Sequence, residues 1–200
     1  MMIGLFKRGP KRIPLEEQFR VLRQCGIELH PKYAPEMVVS DDDRTIFEEQ
    51  PYFQLAFVMG TEIEEPPWGR YYTDDLYALD LECIEDEGAY VDIARQLSRI
   101  TKGTLPLEDI EDQIDHEERS ACLSFRLNGE DHRFDAEYED DWADPRLFSW
   151  MDRIAQRQGS RSRFWMIGDG GQCVLLMFKT PEECKALKKA TGLSFEALNP

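Results

Sequence analysis

No stretch of this sequence approaches the ~18 consecutive apolar residues of a membrane-spanning helix. The N-terminus, MMIGLFKRGPKR, also lacks the order of a secretory leader, in which charge precedes ~7–15 apolar residues. Here the apolar residues come first and are too few. Both absences lead us to expect a cytoplasmic protein. Cysteine is sparse: Cys25, Cys83, Cys122, Cys173 and Cys184 are odd in number, widely spaced, and contain no C-x-x-C pair. That argues against a disulfide framework and fits reduced thiols, most of them small core residues. No G-x-S-x-G, H-E-x-x-H, G-x-G-x-x-G or kinase set is present. The glycine-rich GDGG (168–171) is followed by an apolar run and has no Lys-Ser/Thr, so it reads as a hairpin turn and not a phosphate loop. These gaps weigh against an enzyme, and no cofactor is implied.

Positive charge is also in short supply. The chain has 24 Lys and Arg against 40 Asp and Glu, a net charge of −16. Residues 1–12 carry Lys7, Arg8, Lys11 and Arg12 with no acid, and residues 151–200 are mildly basic; the acidity belongs to the stretch between them. Such a field repels nucleic acid and anionic membranes and attracts cationic surfaces. We therefore expect no nucleic-acid or membrane partner, and a basic protein instead.

What remains is an ordinary globular composition, with 42% hydrophobic residues in 200, enough for a core without staples. The pattern predicts a basic N-terminal tail (1–12) followed by a single α+β domain (13–200). The alternative division is an N-terminal lobe (13–105) and a C-terminal lobe (106–200). PLEEQFRVLRQCG reads as a helix, with Pro14 at its start, Gly26 past its end, and Leu15, Phe19 and Leu22 on one face. PYFQLAFVMG (51–60) reads as a strand and LYALDLECI (76–84) as another. YVDIARQLSRITKG (90–103) is a helix carrying Ile93, Leu97 and Ile100. LEDIEDQIDHEERS (107–120) reads as an acidic connector. From Ala121 the order is strand–strand–helix–strand–strand–helix. Its first two strands meet at Asn128-Gly129, where both turn residues need positive φ. Asp144-Pro145 opens the first of its helices, and a Thr180–Glu183 capping box opens the second. We expect a mostly antiparallel sheet with helices packed on one face.

The candidate functional residues lie in HRFDAEYEDDWADP (132–145). On a strand over 131–138, Asp135 and Glu137 face away from the apolar side. Asp144 has work as a helix cap, which leaves Glu139, Asp140 and Asp141 as an anionic knot beside Trp142. Trp68 and Tyr71, in the loop PPWGRYYTDD, are aromatics of the kind that anchor interfaces. Together these eight residues predict an acidic, aromatic-studded face for a basic protein. The concrete version is a bacterial immunity protein that neutralises a basic toxin; a chaperone or a structural interaction module is a neighbouring reading. The alternative from a different class is a metal-assisted hydrolase using Asp140 and Asp141 with His132 or His116. No calcium-loop glycine and no paired zinc ligands accompany them.

Overall fold

A computed structural model describes residues 12–198. The basic tail lies outside the described residues except for Arg12, which pairs with Glu49. Within the described residues, six helices and seven strands follow in the order α1 (Leu15–Gln24), α2 (Arg44–Glu49), α3 (Phe53–Gly60), β1 (Leu76–Asp80), α4 (Ala89–Ile100), β2 (Leu107–Asp115), β3 (Ser120–Leu127), β4 (Glu130–Ala136), α5 (Arg146–Arg157), β5 (Arg163–Gly168), β6 (Cys173–Lys179), α6 (Pro181–Thr191) and β7 (Glu196–Ala197). The strands form two antiparallel sheets, β1-β6-β5-β7 and β2-β3-β4.

The C-terminal strand and helix order is as expected, but its four strands do not share one sheet. β5 and β6 share a sheet with β1, from early in the chain, which pairs with β6, while β3 and β4 share the other with β2, which pairs with β3. Helices also cover both faces of the four-stranded sheet. Along β6, Leu175 and Met177 face a core built with α1, α3 and α6, while Val174, Leu176 and Phe178 face a second core built with α4 and α5. β1 alternates in the same way: Leu76 and Ala78 look one way, Tyr77 and Leu79 the other. α4 and α5 then pack on β2–β4 with their far sides. The result is four layers: helices, sheet, helices, sheet.

Two segments differ from their sequence readings, for definable reasons. Residues 53–60 are a helix. Leu55, Ala56 and Met59 bury against β1, and a short apolar run does not by its period distinguish a strand from a buried helix. Gly60 lets that helix end close to the sheet: a Cβ there would lie 3.0 Å from the Ala78 backbone nitrogen. Residues 107–115 are the longest strand and not a connector. Its register with β3 slips between Glu108 and Glu111, and Asp109 has φ of 49°. The bulge adds a residue, so inward Leu107, Ile110 and Ile114 fall at spacings of three and four, which hides the strand's period of two. Asp112 is on the inward side as well. Its carboxylate accepts the Gly88 and Val91 amides (2.8 and 3.2 Å) and so caps α4, whose own first residues offer no capping side chain.

The layers are tied at Asp75, just before β1. Only 4% exposed, it accepts Lys102 Nζ at 2.7 Å from the end of α4, Lys179 Nζ at 3.0 Å from the end of β6, and the Glu28 amide at 3.1 Å from the chain leaving α1. Lys179 also donates to the Gly26 carbonyl at 2.5 Å. Burial by itself raises the pKa of Asp75, but the two ammonium groups and the amide outweigh it and hold the carboxyl below its ordinary value. A folded-state pKa below the unfolded one adds stability at neutral pH that drains away as pH falls through the depressed value. Asp75→Asn, which leaves Lys179 buried beside a neutral amide, is expected to cost about 3 kcal/mol at pH 7. Denaturant unfolding at pH 7 and pH 3 checks this: the gap between variant and wild type should narrow in acid.

Candidate functional site

The three-stranded sheet shows water its outer face, and the candidate residues between Asp135 and Trp142 gather along one side of it. On the outer face the β3–β4 register pairs Ser124 with Arg133, Cys122 with Asp135 and Arg126 with Asp131, and of these Cys122 is buried. The inward set, Leu123, Phe125, Leu127 and Phe134, is buried. Asn128 and Gly129 have φ of 52° and 83°, the two positive values that a tight two-residue hairpin requires.

Asp135 is exposed on β4 and receives Arg133 Nε at 2.8 Å. Glu137 lies 3.5 Å from Arg146, and its amide donates to Asp144 at 2.8 Å. Asp144 itself is 5% exposed and does a structural job. α5 begins at Arg146, one residue later than the sequence signal implied, and Asp144 accepts the Arg146 amide at 2.9 Å as well as its guanidinium. Burial pushes the Asp144 pKa up, but Arg146 and the two amides more than offset that and hold it below the ordinary range. Beyond it, Glu139, Asp140 and Asp141 are exposed, as is Trp142 at 38%. Their backbone is fixed: Ile84 donates to the Asp141 carbonyl at 2.8 Å, Trp142 to the Glu139 carbonyl at 3.0 Å, and Ala143 to the Leu81 carbonyl at 2.7 Å. The knot is therefore a short ladder on the chain leaving β1, and its carboxylates are held outward.

The two other aromatics lie elsewhere. Trp68 is 67% exposed at the tip of a loop closed by Glu62 and Tyr71, where Arg70 donates to the carbonyls of Glu65, Pro66 and Pro67. This loop leads into the N-terminal end of β1, whereas Trp142 pairs with the chain leaving its C-terminal end. Tyr71 is not at the surface. At 6% exposure it stands edge-on to Tyr77, with the Arg99 guanidinium 3.9 Å above its ring, and burial pushes its phenol up to about 12. Sequence polarity around it misled because Arg99 reaches in from α4 to cover that side.

The residues of the metal reading are partly separated. His116 accepts or donates at both ring nitrogens, to the Tyr138 hydroxyl at 2.7 Å and the Glu85 carbonyl at 3.0 Å. Arg119 stacks on Tyr138 and reaches Asp140 at 3.2 Å, so His116 and Asp140 share a corner. His132 is on the inner face of β4, stacked on Phe125 beside Trp150, with Nε2 buried and unpartnered. Among the described residues, no group of three or more His, Cys, Asp or Glu is placed to hold a metal ion, and no helix is long and apolar enough to cross a membrane.

Comparison with protein-family models, with curated proteins and with solved structures finds no match to this chain.

The acids of this segment should separate by role. Asp144→Ala removes the acceptor of two part-buried amides and of the Arg146 guanidinium and is expected to cost about 2 kcal/mol. The double variant Glu139→Gln, Asp141→Asn should stay within about 0.5 kcal/mol of wild type. Urea unfolding of both proteins checks this, and a large loss in the double variant would mean that the knot is part of the packing.

Proposed function

We propose that the chain is an acidic protein-binding module and that its outer sheet, with the turn after β4, is the surface that meets a basic partner. One observation carries this reading. Between Leu107 and Asp141, thirteen carboxylates are exposed against three arginines, Arg119, Arg126 and Arg133. Each of the three is already engaged by an acid of the same segment. The surplus is therefore negative, it stands on the outer sheet and the turns that border it, and Trp142 beside it offers apolar area. Opposite charge speeds encounter and fixes register, while a few buried rings slow dissociation. The contact residues are Asp135, Glu137, Glu139, Asp140, Asp141 and Trp142. Trp68 is a separate exposed anchor, and buried Tyr71 is left out. The concrete form is a cytoplasmic bacterial immunity protein that covers the cleft of a cationic toxin.

The test is capture of partners from the native cell on immobilised protein at low ionic strength, followed by stepwise salt elution. A basic protein should elute as salt rises. Glu139→Gln, Asp140→Asn, Asp141→Asn should slow its association about tenfold, with a shallower salt dependence. Capture unaffected by salt and by the triple variant would sink the reading. Stoichiometric divalent-ion uptake, lost in Asp140→Asn, Asp141→Asn, would turn it towards the hydrolase.

A further inference from the structure

The outer sheet has two edges, and they are not alike. β2 forms one, broken by the bulge at Asp109. A bulge is a common device that keeps another strand from adding to an edge. β4 forms the other, in continuous register with β3 over all seven residues, Glu130–Ala136.

The register tells which backbone groups that edge exposes. The two-residue turn makes Leu127 and Glu130 a hydrogen-bonded pair, and antiparallel pairs alternate from there. Glu130, His132, Phe134 and Ala136 therefore aim their N–H and C=O at β3. Asp131, Arg133 and Asp135 aim theirs at the open edge, and among the described residues none of the three has a backbone partner outside the hairpin. These are also the three residues whose side chains stand on the outer face. The free amides and carbonyls thus come with an acid–base–acid row of charges.

We infer that the β4 edge takes up an extended segment of the partner protein whose outward side chains run basic, acidic, basic, opposite Asp131, Arg133 and Asp135. The inference rests on the protein-binding reading above and specifies how the partner docks. Main-chain bonds supply affinity in such strand addition, and the alternate side chains supply selection. Opposite charges directly across a strand pair attract and like charges repel. A second copy of this chain is a poorer occupant: overlap of the full strand sets Arg133 against Arg133 and Asp131 against Asp135. A uniformly basic strand is poorer too, because Arg133 sits at the centre of the row.

The test uses the full chain and a synthetic peptide, Thr-Lys-Val-Glu-Val-Lys-Thr, whose charge pattern reads the same in either direction. In the free protein the amides of Asp131, Arg133 and Asp135 should exchange quickly with deuterium, and those of His132 and Phe134 slowly. Millimolar peptide should slow the first three about tenfold or more. The charge-reversed peptide, Thr-Glu-Val-Lys-Val-Glu-Thr, should bind about tenfold more weakly. Arg133→Pro removes an edge N–H and no hairpin bond, so it should abolish peptide binding while leaving the slow amides slow. Arg133→Glu, which keeps the backbone, should prefer a peptide with lysine at its centre.

No protection by the peptide, or equal binding of both peptides, overturns the inference and leaves the charges as guards of a bare edge. Concentration-dependent protection in the protein alone would give the edge to a second copy and overturn it as well. The two readings fail separately. If Arg133→Pro leaves capture of a basic protein intact while the triple acid variant weakens it, the strand docking falls and the acidic surface stands. If neither variant alters capture, the surface falls too.

Discussion

The structure depends on a sheet that has no wet face. β1, β5 and β6 carry apolar residues on both sides, and each side has its own core. Such strands give up the contrast between buried and solvated faces that ordinarily sets register, so register must be held from the ends. Asp75 does this at the entrance to β1, gathering the ends of α4 and β6 and the exit of α1 on one buried carboxylate. Arg99 works beside it. It donates to the carbonyls of Thr73 and Leu76 at 2.6 and 3.0 Å and satisfies the start of β1 on the side away from β6.

Everything outward-facing follows from that burial. With the first sheet enclosed, the second sheet is left as an outer layer, packed on α4 and α5 by one face and wet on the other. An acidic chain can place unpaired charge only where water reaches it, and this sheet and its turns take much of the load. The geometry then sorts acids that look alike in sequence. Asp112 and Asp144 serve helix starts, while Asp135, Asp140 and Asp141 stand exposed on the outer surface.

The helices with regular stripes are legible in the amino-acid pattern: α1, α4, α5 and α6 stand where their apolar periodicity puts them, and neighbouring Asp144 and Thr180 also mark the starts of α5 and α6. So is the Asn128-Gly129 hairpin, because positive φ at two successive residues is a demand that few sequences meet. α3 and β2 are not. In α3 every face is apolar enough to hide the period, and in β2 one inserted residue and one inward aspartate break the alternation. Gln18 shows the same limit from the polar side. It sits in a helical stripe as if solvated, yet it is fully buried and holds Ile13, Phe47 and Tyr52 by three backbone bonds.

By itself the sequence determined the α+β class, the antiparallel hairpins, the sign of the surface field and the exposed acids of residues 135–141, all of which follow from local chemistry and short spacing. The tertiary structure decided which strands share a sheet, that Tyr71 is core, that Trp68 and Trp142 flank opposite ends of β1, and that one edge of the outer sheet is smooth. Those are outcomes of pairing between residues as far apart as β1 and β6, and the partner of a strand is written in no single stretch of chain.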